Sequence, residues 1–148
     1  METKKRILVI DDDEAIRTLL FTVLRRRGFL VDMAKNGEDA IESMKRCRYA
    51  VALVDLMMPL KNGWEVLDWM GACPKEERPL AIVLTAGTTV RELKPDVVAG
   101  TVRKPFDVEL LLDMVHACAS VRELEQREDC PPPHSSRAND RRTGSDVN

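Results

Sequence analysis

The chain has 148 residues, enough for one domain with a proper core and little beyond it. Apolar residues make up 44%, which excludes a globally disordered chain; 23 Lys and Arg against 25 Asp and Glu give a net charge of −2, without the basic excess of a dedicated nucleic-acid binder. No apolar run approaches the ~20 residues of a membrane span, and the run over 7–10 is too short for a signal-peptide core, so the expectation is a cytoplasmic chain with no membrane insertion.

Short apolar runs alternate with amphipathic stretches along the chain. The first run, Ile-Leu-Val-Ile over 7–10, has no polar interruption and suits a strand covered on both faces. Ile16, Leu19, Leu20, Val23 and Leu24 then recur at helical spacing; Arg25, Arg26 and Arg27 form the solvated last turn and Gly28 ends the helix. A second strand is expected over 30–34 and a second helix around Ala40, Ile41 and Met44. The third strand falls over 50–54, and the third helix carries Val66, Leu67 and Met70 before it stops near Gly71 and Pro74. A fourth strand over 80–84 is followed by a short helix near 90–93, cut by Pro95. A weak fifth strand at 101–103 precedes a last helix, capped by Asp107, with Leu110, Leu111, Met114, Val115, Cys118 and Val121. This alternation predicts an α/β fold, an open five-stranded parallel sheet with helices on both faces and an atypically short fourth helix.

From Cys130 onward the chain is rich in Pro, Ser and Arg and nearly free of apolar residues. The expected division is a folded body over 1–128 and a disordered tail over 129–148. Cys47, Cys73, Cys118 and Cys130 have no CxxC spacing, and only two histidines accompany them. They are read as free thiols, with Cys118 in the core, Cys130 in the tail and no zinc site or disulfide framework. Met57, Met58 and Met70 are read as packing residues. Trp69 is expected to be partly exposed.

In open parallel sheets, function collects beyond the carboxyl ends of the strands. Asp11, Asp12 and Asp13 follow the first run, Asp55 the third, Thr85 the fourth, and Lys104 with Pro105 the fifth. The acidic triplet could simply cap the first helix, and one of its members is expected to do so; Thr85 or Lys104 alone would carry no message. Asp55 is different, because its apolar neighbours would make an unpaired buried carboxylate costly. Parallel strands gather all these residues at one edge. Carboxylates crowded there need a cation, and oxygen ligands without His or Cys suit magnesium or manganese. A lysine and a hydroxyl at the same edge supply what a transferring phosphoryl group requires. The sequence has no GxxxxGK[ST] cradle, which points to a donor smaller than a nucleotide.

These residues together resemble the receiver domain of two-component response regulators. The likeness rests on Ile7-Leu-Val-Ile-Asp-Asp-Asp, on Val54-Asp-Leu-Met-Met-Pro with Gly63, on Leu84-Thr-Ala and on Lys104-Pro-Phe, and it covers roughly residues 4–125. It implies the flavodoxin-like strand order 2-1-3-4-5. It further implies that Asp55 accepts a phosphoryl group from a sensor histidine kinase or a histidine phosphotransfer protein. Asp11, Asp12, Asp55 and the carbonyl of Met57 would hold Mg2+. Thr85 would be the switch hydroxyl, Lys104 would pair with the acceptor and its phosphoryl group, and Pro105 suggests a cis peptide. Two departures stand out: Thr101 occupies the place of the family's aromatic switch residue, and Thr85 lies only 19 residues before Lys104, a shortened interval. Met57 and Gly87 fall where the family tunes dephosphorylation, and neither side chain can orient a water, which implies a persistent phosphoryl group.

With only a polar tail after the last helix, the expectation is a stand-alone regulator that signals through a downstream protein target, without direct nucleic-acid contact. The alternative is a phosphorylation-independent binding module on the same scaffold. An enzyme of the haloacid-dehalogenase type, with Asp11 as nucleophile, fits less well: its DxDx[TV] opening meets Ala15 at the fifth position and leaves Asp55 unexplained.

Overall fold

The structure is a computed structural model and describes residues 4–58, 62–87 and 93–134. Five strands, β1 (Arg6–Ile10), β2 (Leu30–Ala34), β3 (Val51–Asp55), β4 (Leu80–Thr85) and β5 (Val98–Arg103), form one parallel sheet in the order β2-β1-β3-β4-β5. Four helices are described, α1 (Glu14–Arg26), α2 (Gly37–Arg46), α3 (Gly63–Ala72) and α4 (Val108–Ser120).

The uninterrupted apolar strands split their side chains between two cores. Ile7, Val9, Val51, Leu53, Ile82 and Leu84 face Leu20, Leu24, Leu111 and Val115 of α1 and α4. Leu8, Ile10, Ala52, Val54, Ala81 and Val83 face Ala40, Met44, Val66 and Met70 of α2 and α3. Every residue of β1 and β3 is buried, as a strand covered on both faces must be. β5, at the sheet edge, is half exposed and begins at Val98, earlier than the apolar pattern predicts. Its pairing to β4 carries a register shift at Ala81 and Ile82.

Local signals in the sequence set the helix ends. Asp13 caps α1, its carboxylate accepting from the amides of Ala15 and Ile16. Gly28, with φ +96°, turns the chain out of that helix. Asn62 and Glu65 form a reciprocal capping box on α3, and Asp107 caps α4. Between β4 and β5 no helix occurs among the described residues; most of the expected fourth helix, at 90–92, lies outside them.

Two sequence expectations fail at the amino-terminal ends of the strands. Cys47 and Cys130 are not free thiols but form a disulfide, with Cα atoms 4.9 Å apart. Residues 129–134, assigned by composition to a disordered tail, lie against the body; positions 135–148 of that tail lie outside the described residues. The cause is a strap that leaves α4 and runs back beneath the sheet. Lys5 donates to the Arg122 carbonyl, Gln126 pairs with the Arg48 backbone and Arg127 meets Glu77 at 3.0 Å. Cys73 and Cys118 remain free, and Cys118 sits half-buried at the margin of the core rather than within it.

Asp32, in the middle of β2, was absorbed into an apolar run, yet it anchors a buried polar network. Its Oδ2 lies 2.7 Å from Arg6 Nη2 and accepts from Tyr49 Oη at 2.5 Å. Burial first, then the Asp32 charge, pushes the Tyr49 phenol well above its ordinary range, so it stays a donor. Removing one partner from a buried pair strands the other charge. Asp32→Ala is therefore expected to cost about 3–5 kcal/mol, read as a lower urea midpoint with an unchanged m-value.

Candidate functional site

The carboxyl ends of β1, β3, β4 and β5 bring the candidate residues to one edge. Asp11 follows β1 and is fully buried, Asp55 ends β3 at 5% exposure, and Asp12 between them faces solvent. One oxygen from each of the three carboxylates falls within a cluster 4.8 Å across. Lys104 enters from the end of β5, its Nζ 3.0 Å from Asp11 Oδ2 and 3.6 Å from Asp55 Oδ2. Its backbone amide donates to the Thr85 carbonyl at 2.7 Å, and its peptide to Pro105 is cis.

Each acid is held by the local chain. The Asp13 amide donates to Asp11 Oδ1, and Arg17 reaches back from α1 to the Asp11 carbonyl at 2.8 Å. Arg17 is a support that spacing did not reveal, since it acts on a carbonyl rather than a side chain. The Met57 amide donates to Asp55 Oδ1 at 3.1 Å, which curls the turn after β3 around the carboxylate. That turn rests on Gly63: a Cβ there would come within 2.3 Å of the Asp55 carbonyl oxygen and 2.5 Å of Leu56 Cα. Met58 and Met70 pack as expected, but the Met57 side chain does not. It is 72% exposed, because the turn directs its amide inward.

Thr85 is buried at the end of β4, and its hydroxyl both donates to the Gly87 carbonyl and accepts from the Gly87 amide. The hydroxyl is thus engaged in its own turn, not with the carboxylates. Thr101, in β5, pairs with Val83 of β4 and is exposed. Trp69, like Trp64, is partly exposed at the edge of the α2–α3 core.

The charge balance is uneven. Burial, then the neighbouring Asp11 charge, raises the Asp55 carboxyl from 3.8 to about 7; the Met57 amide and Lys104 oppose this, and a hydrogen bond with Asp12 adds to it. Burial alone would lower the Lys104 amine, but its hydrogen bond and charge contact with Asp11, then the Asp55 charge, outweigh that and raise it. One ammonium thus faces three carboxylates. A hard divalent cation fits the donor set, which is all oxygen with no His or Cys in it.

Comparison with known proteins agrees with this geometry. The family described as "Response regulator receiver domain" matches residues 7–116. Protein Rrf1 of Nitratidesulfovibrio vulgaris is 34% identical over 110 residues, 74% of this chain and 79% of its own. Response regulator MprA of Mycobacterium ulcerans is 35% identical over 126 residues, but that covers 83% of this chain and only 53% of MprA. The chain therefore spans about half the length of several curated relatives it matches. Among solved structures, response regulator TrrA of Thermotoga maritima, determined in complex with Mg(2+)-BeF, is 33% identical with a TM-score of 0.69 over 77% of this chain and 98% of its own. Chemotaxis response regulator CheY4 of Vibrio cholerae is 26% identical with a TM-score of 0.71 over 78% of this chain and 99% of its own. The chain belongs to the response regulator receiver-domain family. Receiver domains bind Mg2+ at an acidic site, and the three aspartates form an acidic cluster here. No described helix is long and apolar enough to cross a membrane.

A raised carboxyl value has a stability consequence with a definite sign. The stability contribution of Asp55 is full below pH 3.8 and is lost as pH rises through about 7, since ionisation is disfavoured in the fold. In chelator, Asp55→Asn is therefore expected to melt higher than the parent at pH 8, by roughly 3 °C or more. The difference should shrink by pH 5. A gain that stays constant with pH would contradict this account of the Asp55 environment.

Proposed function

We propose that Asp55 is the phosphoacceptor of this receiver, and that Asp11, Asp12, Asp55 and the Met57 carbonyl hold Mg2+. The observation that carries the reading is the Lys104 amine set between Asp11 and Asp55, beside a buried carboxylate whose ionised form added positive charge would favour. Bound Mg2+ would neutralise phosphoryl oxygens and lower the charge repulsion between donor and acceptor. Asp55 Oδ2 attacks phosphorus, the O–P bond forms as the donor's N–P bond breaks, and the departing imidazole retains the electron pair and takes a proton. Lys104 then stands next to the new phosphoryl oxygens. The donor is a histidine kinase or histidine phosphotransfer protein, whose phosphoramidate is already activated, so positioning and charge supply most of the catalysis.

The added group brings about −2 charge and strong acceptors. Thr85 is the hydroxyl placed to answer it, by exchanging its Gly87 contacts for a phosphoryl oxygen. Thr101 cannot fill an aromatic pocket, so the signal does not travel by an aromatic swing at that position. Neither the exposed Met57 side chain nor Gly87 can orient a hydrolytic water, which favours a long-lived phosphoryl group. The domain signals through contact with a downstream protein; a net charge of −2 is poorly suited to nucleic acid. We assign its working place to the cytoplasm, where such kinases present their phosphohistidine.

Thr101 also favours a second reading, a phosphorylation-independent binding module. Acetyl phosphate with Mg2+, followed by intact mass, separates the two. The expected result is a gain of one phosphoryl group, lost in Asp55→Asn and on chelation, and slowed about 10²-fold or more in Lys104→Ala. Retention of labelling in Asp55→Asn would refute the assignment, and no labelling of the parent would favour the binding module.

A further inference from the structure

At the opposite end of the sheet the structure assigns a second modifiable site: we propose that the Cys47–Cys130 disulfide is a reversible redox latch that fastens residues 129–134 over the free edge of β2. Cys47 is the C-cap residue of α2, and Cys130 lies 83 residues later on the strap below the sheet. The inference does not depend on the phosphoacceptor assignment.

Lys5, Arg48 and Glu77 hold the strap at Arg122, Gln126 and Arg127, whereas its end over 129–134 is tied down by one covalent bond. Residues 131–133 are three consecutive prolines, which have no amide hydrogen and cannot join the β2 ladder as a strand. Such a run is a stiff polyproline arm, rising ~3.1 Å per residue. At its near end are the disulfide and the Arg6 guanidinium, 2.9 Å from Cys130 Sγ. At its far end is His134, whose amide donates to Asp32 Oδ1 at 2.9 Å and whose Nδ1 accepts from the Met33 amide at 2.9 Å. That histidine therefore caps an edge amide of β2, the outermost strand. An uncapped edge amide is free to pair with another chain. Ordering each residue costs entropy comparable with a net hydrogen bond, so His134 alone cannot hold the arm once the sulfur link opens.

The bond is also within reach of a small thiol. Cys47 is itself buried, 2% exposed, at the wall of a cavity of about 170 Å³ shared with Cys73, Trp69, Glu77 and Arg127, so attack falls on the half-buried Cys130 with Cys47 as the leaving thiolate. A dithiol attacks one sulfur, a mixed disulfide forms, and its second thiol closes to a cyclic disulfide. Two electrons and two protons pass to the protein, leaving Cys47 and Cys130 each with an S–H. A low-molecular-weight disulfide such as oxidised glutathione runs the exchange in reverse. The bond stays closed in an oxidising compartment and opens in a reducing one.

The test uses the full chain, isolated without reductant. Alkylation and intact mass should find two reactive thiols of the four, and peptide mapping should find Cys47 joined to Cys130. After dithiothreitol under native conditions all four should react. Hydrogen exchange at Met33 should then speed up about tenfold or more while core amides such as Leu53 stay protected, and oxidised glutathione should restore the slow rate. Cys130→Ser should exchange fast at Met33 without any reductant; Cys73→Ser should behave as the parent. Four reactive thiols in the untreated chain would overturn the proposal. So would a bond reducible only after unfolding, or Met33 protection indifferent to reduction. Equal acceleration of Leu53 and Met33 would also overturn it, since that describes a staple of the whole fold.

Discussion

One ammonium among three carboxylates is the interaction on which the acidic edge depends. Lys104 lies 3.0 Å from Asp11 and 3.6 Å from Asp55, and both acids are buried. In water these charges would be largely screened; at the partly buried mouth of a sheet they are screened less. Burial first, and then the Asp11 charge that the lysine does not fully offset, raise the Asp55 carboxyl to about 7. The same deficit suits a hard divalent cation, since the donor set is all oxygen. A site that is electrostatically unsatisfied in isolation is thereby made ready for its ligands.

The scaffold maintains that tension through backbone contacts. Arg17 grips the Asp11 carbonyl, the Asp13 and Met57 amides grip the two buried carboxylates, and Gly63 lets α3 press against the chain at Asp55. All of this sits on strands whose residues are apolar on both faces, so the carboxyl ends of β1, β3 and β4 are fixed by the two cores rather than by the site itself. The stability needed to hold mutually repelling charges is therefore supplied at a distance from them.

The opposite end of the sheet has a different logic. There the charges are paired: Arg6 with Asp32, Tyr49 donating to the same carboxylate, and His134 closing the last acceptor. The network is satisfied and needs no ligand. Its exposed side is covered by the strap that the disulfide ties to α2. One end of the domain is thus arranged to accept charge, and the other to keep solvent and other chains from a strand edge.

The parallel sheet, a cap on α1 from the acidic triplet, the Asp107 cap on α4 and the converging acidic edge were legible in the amino-acid order, while the structure picked Asp13 from the triplet. Uninterrupted apolar runs, capping residues and strand-end positions are local features, and parallel pairing then carries Asp11, Asp55 and Lys104 to one side whatever the loops do. The β5 start at Val98 was not legible, since edge strands lack a distinctive apolar pattern. Nor was the outward Met57 side chain, which a turn of the backbone decided. The Arg6–Asp32–Tyr49 network and the Cys47–Cys130 pair belong to the tertiary structure alone. Their partners lie far apart in sequence, and only the path of the strap beneath the sheet makes them neighbours.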